Sequence, residues 1–313
     1  MPSNPEGPFN LKYFVESALS GAVCCGVTHA AITPIDVVKT RIQLEPTVFR
    51  NGMFNAFSTI VRQEGLRGLT TGMGPSVAGY IAQGWFKFGG VELFKIKAAE
   101  YVGERQAFKH QTAIYLSTAA AAEFIADIFL CPLEATRIRL VSNPQYANSI
   151  FSAMSRIVRT DGFLSGFYAG FGPILMRQIP YTMTQFTVQG FTSDQMYVSA
   201  GIQPAEATEA QLLGISLTSG VIAGLAAAIV SHPADNLLSL INKPGAGGNG
   251  STISRLMTLT RDTGLKNLFT VGLGPRCVMI GLLSAGQFVV YDAIMSATGV
   301  QKFHFHDPDA QTI

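Results

Sequence analysis

The chain has 313 residues, of which 48% are hydrophobic and only 13% are charged. Because an average soluble domain carries roughly 25% charged residues, this composition indicates a membrane protein. The formal net charge of +2 is too small for a typical nucleic-acid-binding protein, and the chain has no run of basic residues.

Two short motifs recur three times with one period. The prolines that begin the first motif are 98 and then 101 residues apart, and those that end the second are 98 and then 102 residues apart. A shared period predicts three copies of one structural unit. The units are assigned to residues 11–105, 106–200 and 208–300, with flexible termini at 1–10 and 301–313. The two sets of prolines are Pro34, Pro132, Pro233 and Pro75, Pro173, Pro275.

Each unit begins with an apolar stretch that is long enough to span a bilayer and that contains the first proline. These stretches are Tyr13–Leu44, Ala113–Val141 and Leu212–Ile241. A short amphipathic helix follows at the membrane surface, at Phe54–Arg62, Phe151–Arg159 and Ile253–Arg261. After the Gly-x-Gly-Pro turn comes a second span, at Val77–Lys97, Ile174–Thr192 and Val278–Met295.

The pattern predicts an all-α membrane protein with three pseudo-symmetric repeats. Six kinked transmembrane helices enclose a central cavity, and three short helices lie on one surface. The glycine-rich stretch at 245–250 matches a phosphate-binding pattern but follows a helix instead of a strand, so a loop is predicted. The histidine tract at 303–307 is interpreted as an exposed, inert tail, and no metal site, cofactor or enzyme is predicted.

The tripled Pro-x-[Asp/Glu]-x-x-[Lys/Arg] segment with a Gly-x-Gly-Pro turn resembles the mitochondrial carrier family over residues 11 to 297. Stretches such as AEFIADIFLCPLEATRIRLV and FGPILMRQIPY are similar to the phosphate carriers of that family. The resemblance implies a multi-pass protein of the mitochondrial inner membrane that imports inorganic phosphate together with a proton by alternating access. We expect a monomer that contacts the lipid bilayer, including anionic lipid on the matrix side.

Charges inside the spans are candidates for function, because each costs roughly 2.5–3.5 kcal/mol to insert into a membrane. Counting back five residues from the first proline of each repeat places His29 and Asp127 at one depth, and Glu123 lies one helical turn from Asp127. A histidine and carboxylates at one level could pass a proton, so these three residues are predicted to couple transport to protons. The alternative is that His29 only binds a backbone carbonyl of its own helix.

A polar ring is predicted at the substrate level. Twelve residues after the second proline of each repeat lie Lys87, Gln185 and Gln287, and each is followed by a phenylalanine. One ammonium and several amides suit an oxyanion. The alternative for Lys87 is a side chain that reaches the membrane interface. The complete predicted substrate set is Lys87, Gln83, Gln185, Tyr181, Gln287 and Thr40.

Charged residues around the first proline motif predict a gate on the matrix side. Asp36 is expected to pair with Arg137, and Asp235 with Lys39, while Glu134 has no basic residue at the matching positions of the third repeat. A second, outer gate is predicted at the opposite end.

The outer gate has a complete charged pattern only in the first repeat, at Glu92 and Lys95. The second repeat has no charge at the two matching positions, and the third has only Asp292. Both gates therefore depart from the threefold pattern of the family.

Other functions remain open at this stage. Phosphate carriers usually have a lysine where this chain has Gln185, and often one where it has Leu240. A carrier of another small anion or of copper is therefore an alternative. The incomplete gates also suit a membrane scaffold that no longer transports. A soluble helical-repeat protein is the remaining alternative.

Overall fold

The computed structural model describes residues 9–44, 48, 52–143, 145–203, 206–241, 252–300 and 302–305. The loop predicted at 245–250 lies outside these residues. In chain order the helices are α1 (Leu11–Leu44), α2 (Gly52–Glu64), α3 (Met73–Val102), α4 (Glu104–Lys109), α5 (Gln111–Ser142), α6 (Ile150–Asp161), α7 (Phe163–Tyr168), α8 (Phe171–Ala200), α9 (Glu209–Ile241), α10 (Thr252–Thr263), α11 (Leu265–Thr270) and α12 (Leu273–Ala297).

The six long helices form a closed ring. Along the ring α1 packs on α3, α3 on α5, α5 on α8, α8 on α9, α9 on α12, and α12 returns to α1. Each helix therefore has one face on a neighbour at either side and one face toward the axis of the ring. This arrangement confirms the predicted all-α architecture of three repeats around a centre.

The three surface helices predicted from amphipathic periodicity are α2, α6 and α10. Between each of them and the next long helix lies a further short element that the sequence analysis did not predict, namely the 3₁₀ helix Leu66–Thr70, α7 and α11. These elements are five or six residues long. So short a segment holds fewer than two turns, and hydrophobic periodicity cannot be recognised over that length.

The repeated prolines occupy two kinds of position. Pro34, Pro132 and Pro233 lie inside α1, α5 and α9, where each removes one backbone hydrogen bond of the helix. We name the end of the ring that carries them the proline end, and the opposite end the outer end. At the Gly-x-Gly-Pro turns, Gly72 and Gly272 adopt φ angles of 77° and 80° immediately before α3 and α12. Such angles favour glycine, because other side chains clash there.

Small residues bring neighbouring helices of one repeat into close contact. A Cβ atom added to Gly84 of α3 would lie 2.1 Å from the carbonyl oxygen of Gly21 in α1. In the third repeat, a Cβ on Gly220 of α9 would lie 2.8 Å from the Cα of Ala285 in α12. Close backbone approach at glycines is typical of packed membrane helices. Both contacts hold the two long helices of a repeat together.

Within the described residues, four helices are long and apolar enough to cross a membrane by length and composition: α1, α5, α9 and α12. The other two long helices, α3 and α8, have 30 residues each but are not among these four. Their polar residues include Lys87, Glu92 and Lys95 on α3 and Gln185 and Gln189 on α8, all of which are buried in the ring. These five polar residues therefore belong to the interior of the ring.

Candidate substrate site and gates

A cavity of about 100 Å³ opens inside the ring between the proline end and the middle of the helices. Its walls contain residues from the predicted substrate, proton-coupling and gate sets. Thr40 and Gln185 of the predicted substrate set are not among the lining residues. The predicted residues that line it are Lys87, Gln83, Tyr181, Gln287, His29, Asp36, Lys39 and Asp235.

Lys87 is the buried cation of this cavity. Only 3% of its surface is exposed, and among the described residues its ammonium group has neither a hydrogen bond nor an ion pair. The Nζ atom lies 5.9 Å from the ring centre of Tyr181 and 5.7 Å from that of Phe88. The alternative of a side chain reaching the membrane interface does not agree with this burial. A cation held in this way is available to an anion in the cavity.

The two glutamines of the predicted ring contact each other. Gln185 donates hydrogen bonds from Nε2 to the Oε1 atom of Gln287, at 3.2 Å, and to Ser284 Oγ, at 3.0 Å. Gln287 also lines the cavity, whereas Gln185 lies behind it. Thr40 uses its hydroxyl to donate to the backbone carbonyl of Asp36, at 2.7 Å. Of the predicted ring, Lys87 and Gln287 therefore face the cavity directly.

An aromatic cluster closes the cavity toward the outer end. It consists of the phenylalanines that follow the three ring residues, namely Phe88, Phe186 and Phe288, together with Tyr291. The ring centres of the phenylalanines are 5.0, 5.7 and 5.8 Å apart, and Tyr291 stacks on Phe88 at 4.8 Å. These side chains are almost completely buried. The cavity is therefore separated from the outer end by packed apolar rings.

Two carboxyl groups are fully buried on α5, close to the cavity. Glu123 accepts hydrogen bonds from Gln83 Nε2, at 2.6 Å, and from the hydroxyl of Thr182, at 2.9 Å. Asp127, one helical turn further along, has no hydrogen-bond partner for either oxygen within the described residues. Burying an unpaired carboxylate is costly. Asp127 is thus the less stabilised of the two as an anion.

His29 makes the backbone contact that the sequence analysis gave as the alternative, and it also lines the cavity. Its Nδ1 atom lies 2.9 Å from the carbonyl oxygen of Cys25, and its ring stacks on Tyr80 with 3.4 Å between centres. Since a carbonyl oxygen only accepts hydrogen bonds, Nδ1 carries the proton and Nε2 is left to take up or release another one. No hydrogen bond joins His29 to Glu123 or Asp127 in the part of the chain that the structure describes.

Both predicted ion pairs of the matrix gate lie within 4 Å. Arg137 Nη2 is 3.7 Å from Asp36 Oδ2, and Lys39 Nζ is 3.8 Å from Asp235 Oδ2. Glu134, expected to lack a basic partner, instead accepts a hydrogen bond from Arg137 of its own helix at 3.0 Å. Two acidic residues therefore share one arginine, and the third repeat has Leu238 and Leu240 at the motif positions where a basic partner was expected.

Two arginines that sequence reasoning missed complete the charge cluster at Asp235. Arg276 of α12 pairs with Asp235 and donates to Ser231 Oγ at 2.9 Å, and Arg177 of α8 lies 3.8 Å from Asp235. Both arginines line the cavity. The high cost of a charge within a membrane-spanning segment was the signal that could have identified them.

The residues of the predicted outer gate include a buried ion pair. Lys95 donates to Glu92 at 2.5 Å, and the other carboxylate oxygen of Glu92 accepts from the Tyr13 hydroxyl at 2.7 Å. Nearby, Ser17 and Tyr291 share a hydrogen bond of 2.7 Å between α1 and α12. The two charged residues of the first repeat therefore pair with each other, three residues apart on α3.

Comparison with known proteins identifies relatives over almost the whole chain. A family model described as mitochondrial carrier protein matches residues 10–101, 108–198 and 211–301. A Dictyostelium discoideum protein, mitochondrial substrate carrier family protein N, is 43% identical over 297 residues, which are 94% of this chain and 98% of the relative. The mitochondrial phosphate carrier protein of Caenorhabditis elegans is 39% identical over 93% of this chain and 83% of its own length. Mitochondrial phosphate carrier protein 2 of Arabidopsis thaliana is 38% identical over 93% and 78%.

Proposed function

The chain belongs to the mitochondrial carrier family, and from this premise we propose that it imports inorganic phosphate into the matrix together with a proton. Members of the family are multi-pass transporters of the inner membrane. Several relatives, including those from C. elegans and A. thaliana, are phosphate carriers by name. In this proposal the ring opens to one side at a time. The six long helices of one chain form the complete ring, so we expect a monomer to be sufficient for transport.

The observation that carries the proposal is Lys87, a buried cation at the inner end of the cavity whose ammonium group forms no hydrogen bond or salt bridge among the described residues. A membrane protein retains such a charge at a cost of several kcal/mol, which suits a group that meets its counter-ion only during transport. An ammonium binds phosphate as a point charge, and charge-assisted hydrogen bonds are the strongest of their kind. Lys87 is thus the proposed phosphate ligand.

The surroundings of Lys87 suit an anion as well. The side chains of Gln83, Tyr181 and Gln287 line the same cavity and carry amide or hydroxyl donors for phosphate oxygens. The cavity wall carries four basic side chains and two carboxylates. They are Lys39, Lys87, Arg177, Arg276, Asp36 and Asp235. A positive surplus raises the local concentration of anions.

The proposed proton pathway uses the buried carboxyl groups and His29. Asp127 has unpaired oxygens, and a buried carboxyl group without a partner costs less free energy when it is neutral than when it is charged. Uptake of a proton at Asp127 would therefore accompany entry of the anion, and His29, which lines the cavity, is the proposed group that passes the proton on. Glu123, held by Gln83 and Thr182, connects this region to the phosphate site through the Gln83 amide.

The experiment that tests this function is uptake of radiolabelled phosphate into liposomes that contain the purified protein. We expect uptake that rises with an inward proton gradient and that unlabelled phosphate suppresses. Folded protein that takes up no phosphate, in either the presence or the absence of the gradient, would contradict the proposal. A copper uptake assay and competition by other small anions, run in parallel, distinguish the alternative substrates from a scaffold without transport.

A further inference from the structure

The chain continues beyond α12 into a short segment that lies across the outer end of the ring. Residues 302–305 are described, and we name them the C-terminal strap. The sequence assigned this region to a flexible terminus with an exposed histidine tract. In the structure Phe305 is buried and His304 is half-buried, so the interpretation as an exposed tail does not hold for these residues.

Lys302 supplies a cation to the third repeat. Its Nζ atom lies 3.8 Å from Asp292 Oδ1, donates a hydrogen bond to Gln189 Oε1 at 3.0 Å, and lies 5.2 Å from the ring centre of Phe288. In the first repeat, a lysine three residues after the acidic residue takes the cationic position, whereas the third repeat has the buried Met295 there. Lys302 thus provides the charge that α12 lacks.

The backbone of Phe303 is held by the buried ion pair of the first repeat. Its N–H group donates to the Tyr13 hydroxyl at 3.2 Å and to Glu92 at 3.3 Å. Its carbonyl oxygen accepts a hydrogen bond from Lys95 at 3.0 Å. Both backbone polar groups of Phe303 are therefore satisfied by α1 and α3, which fixes the strap at a defined position.

The remaining two strap residues contact the second repeat. His304 Nδ1 lies 2.6 Å from Asp194 Oδ1 on α8. The ring of Phe305 packs edge-on against Tyr115 of α5, with 5.3 Å between ring centres, in a cluster with Ala107 and Ile114. Four consecutive residues thus contact α1, α3, α5, α8 and α12, which belong to all three repeats.

We propose that the C-terminal strap is part of the outer gate, with the Lys302–Asp292 ion pair and the His304–Asp194 hydrogen bond in place of the ion pairs that the third and second repeats lack. The inference relies on alternating access in the proposed function, but not on phosphate as the substrate. The helices cannot separate at the outer end while one segment is bound to five of them. Entry of substrate from the outer side therefore requires the strap to leave these contacts.

Labelling of a reporter cysteine tests the strap without any substrate. Ser193 is 2% exposed and lines a small outer cavity together with Asp292, Lys302 and His304. In the protein with Ser193→Cys, we expect a membrane-impermeant thiol reagent to label residue 193 slowly. Adding Lys302→Ala and His304→Ala should increase the labelling rate at least fivefold. Peptide mass identifies labelling at residue 193 and separates it from the native cysteines. An unchanged rate in the double alanine variant would overturn the proposal.

Cross-linking tests whether the strap has to move. Asp194→Cys and His304→Cys, joined by a short thiol-specific bridge in liposomes, should reduce uptake at least tenfold, and reduction of the bridge should restore it. A matched control pair is Arg139→Cys with Asp161→Cys, which replaces a surface ion pair of the same 2.6 Å length within the second repeat. Bridging this pair should leave uptake unchanged.

The labelling rate and the uptake of the bridged protein distinguish a failure of the strap proposal from a failure of the transport proposal. Bridged protein that transports at the unbridged rate, or a pair that cannot be bridged, would show that the strap is no gate. If the unbridged protein takes up no phosphate, the proposed substrate fails, while the labelling rates at residue 193 still decide the role of the strap.

Discussion

Replacing Lys87 by methionine is expected to impair transport strongly. Methionine has a similar length but no charge, so the cavity keeps its shape while the anion loses its ammonium partner. A hydrogen bond to a charged group contributes about 1.5–3 kcal/mol. Since about 1.4 kcal/mol corresponds to a factor of ten, phosphate uptake below saturation should fall about 10- to 150-fold.

The same replacement should stabilise the empty protein. Lys87 is buried without a hydrogen bond or ion pair among the described residues, and a lysine within a span costs roughly 2.5–3.5 kcal/mol on insertion scales. Removing the charge abolishes this cost. We therefore expect Lys87→Met to raise the unfolding temperature in detergent by a few degrees although it transports poorly.

Uptake into liposomes and thermal unfolding of the purified protein measure both effects. Lys97→Met is the matched control, because Lys97 lies on the same helix but is 61% exposed in its side chain and pairs with Glu100. The control should change neither quantity beyond the scatter of the assay. Undiminished uptake by Lys87→Met would refute its role as the phosphate ligand. A lower unfolding temperature would refute the reasoning that Lys87 is an unpaired buried cation.

Three further predictions concern the carboxyl groups and the helix contacts. Asp127→Asn should abolish the stimulation of uptake by an inward proton gradient and keep the protein folded; full stimulation would contradict proton coupling there. Asp235→Asn leaves two arginines and a lysine without their shared anion, so we expect about 3–5 kcal/mol of destabilisation, seen as a lower unfolding temperature; an unchanged temperature would contradict the cluster. Gly84→Ala should give aggregated protein in size-exclusion chromatography, because its Cβ would meet a backbone carbonyl at 2.1 Å, whereas Gly281→Ala, with its nearest neighbour at 3.6 Å, should remain monodisperse. Equal behaviour of the two glycine variants would contradict the close packing of α1 and α3.

The sequence was sufficient for the ring and for the depth of most site residues. The repeated prolines give each repeat a common origin, and counting from them placed His29, Lys87 and Gln287 correctly on the cavity wall. Arg177 and Arg276 were missed because they break the threefold pattern. The residues that match Arg177 in the other repeats are Gly79 and Met279. Counting from the repeated prolines identifies positions where all repeats carry similar residues, and it misses a charged residue that occurs in one repeat alone.

Side-chain direction and the strap were beyond sequence reasoning for a different reason. Gln185 stands at the predicted depth, yet it contacts Gln287 and Ser284 because the packing of α8 against α12 sets its orientation. Glu134 is paired within its own helix because Arg137 is near enough on the next turn. The strap has four described residues and no periodicity, so its position depends on tertiary contacts alone.

The aromatic cluster of Phe88, Phe186, Phe288 and Tyr291 also determines where a membrane voltage acts. Packed rings hold no ions and polarise weakly, so the electric field is concentrated across this thin layer and is weaker in the polar cavity beside Lys87. Each elementary charge that crosses 100 mV gains or loses about 2.3 kcal/mol. Under the proposed alternating access, most of that energy is exchanged over the few ångströms where the rings part, and the cluster then acts as the electrical insulator of the carrier.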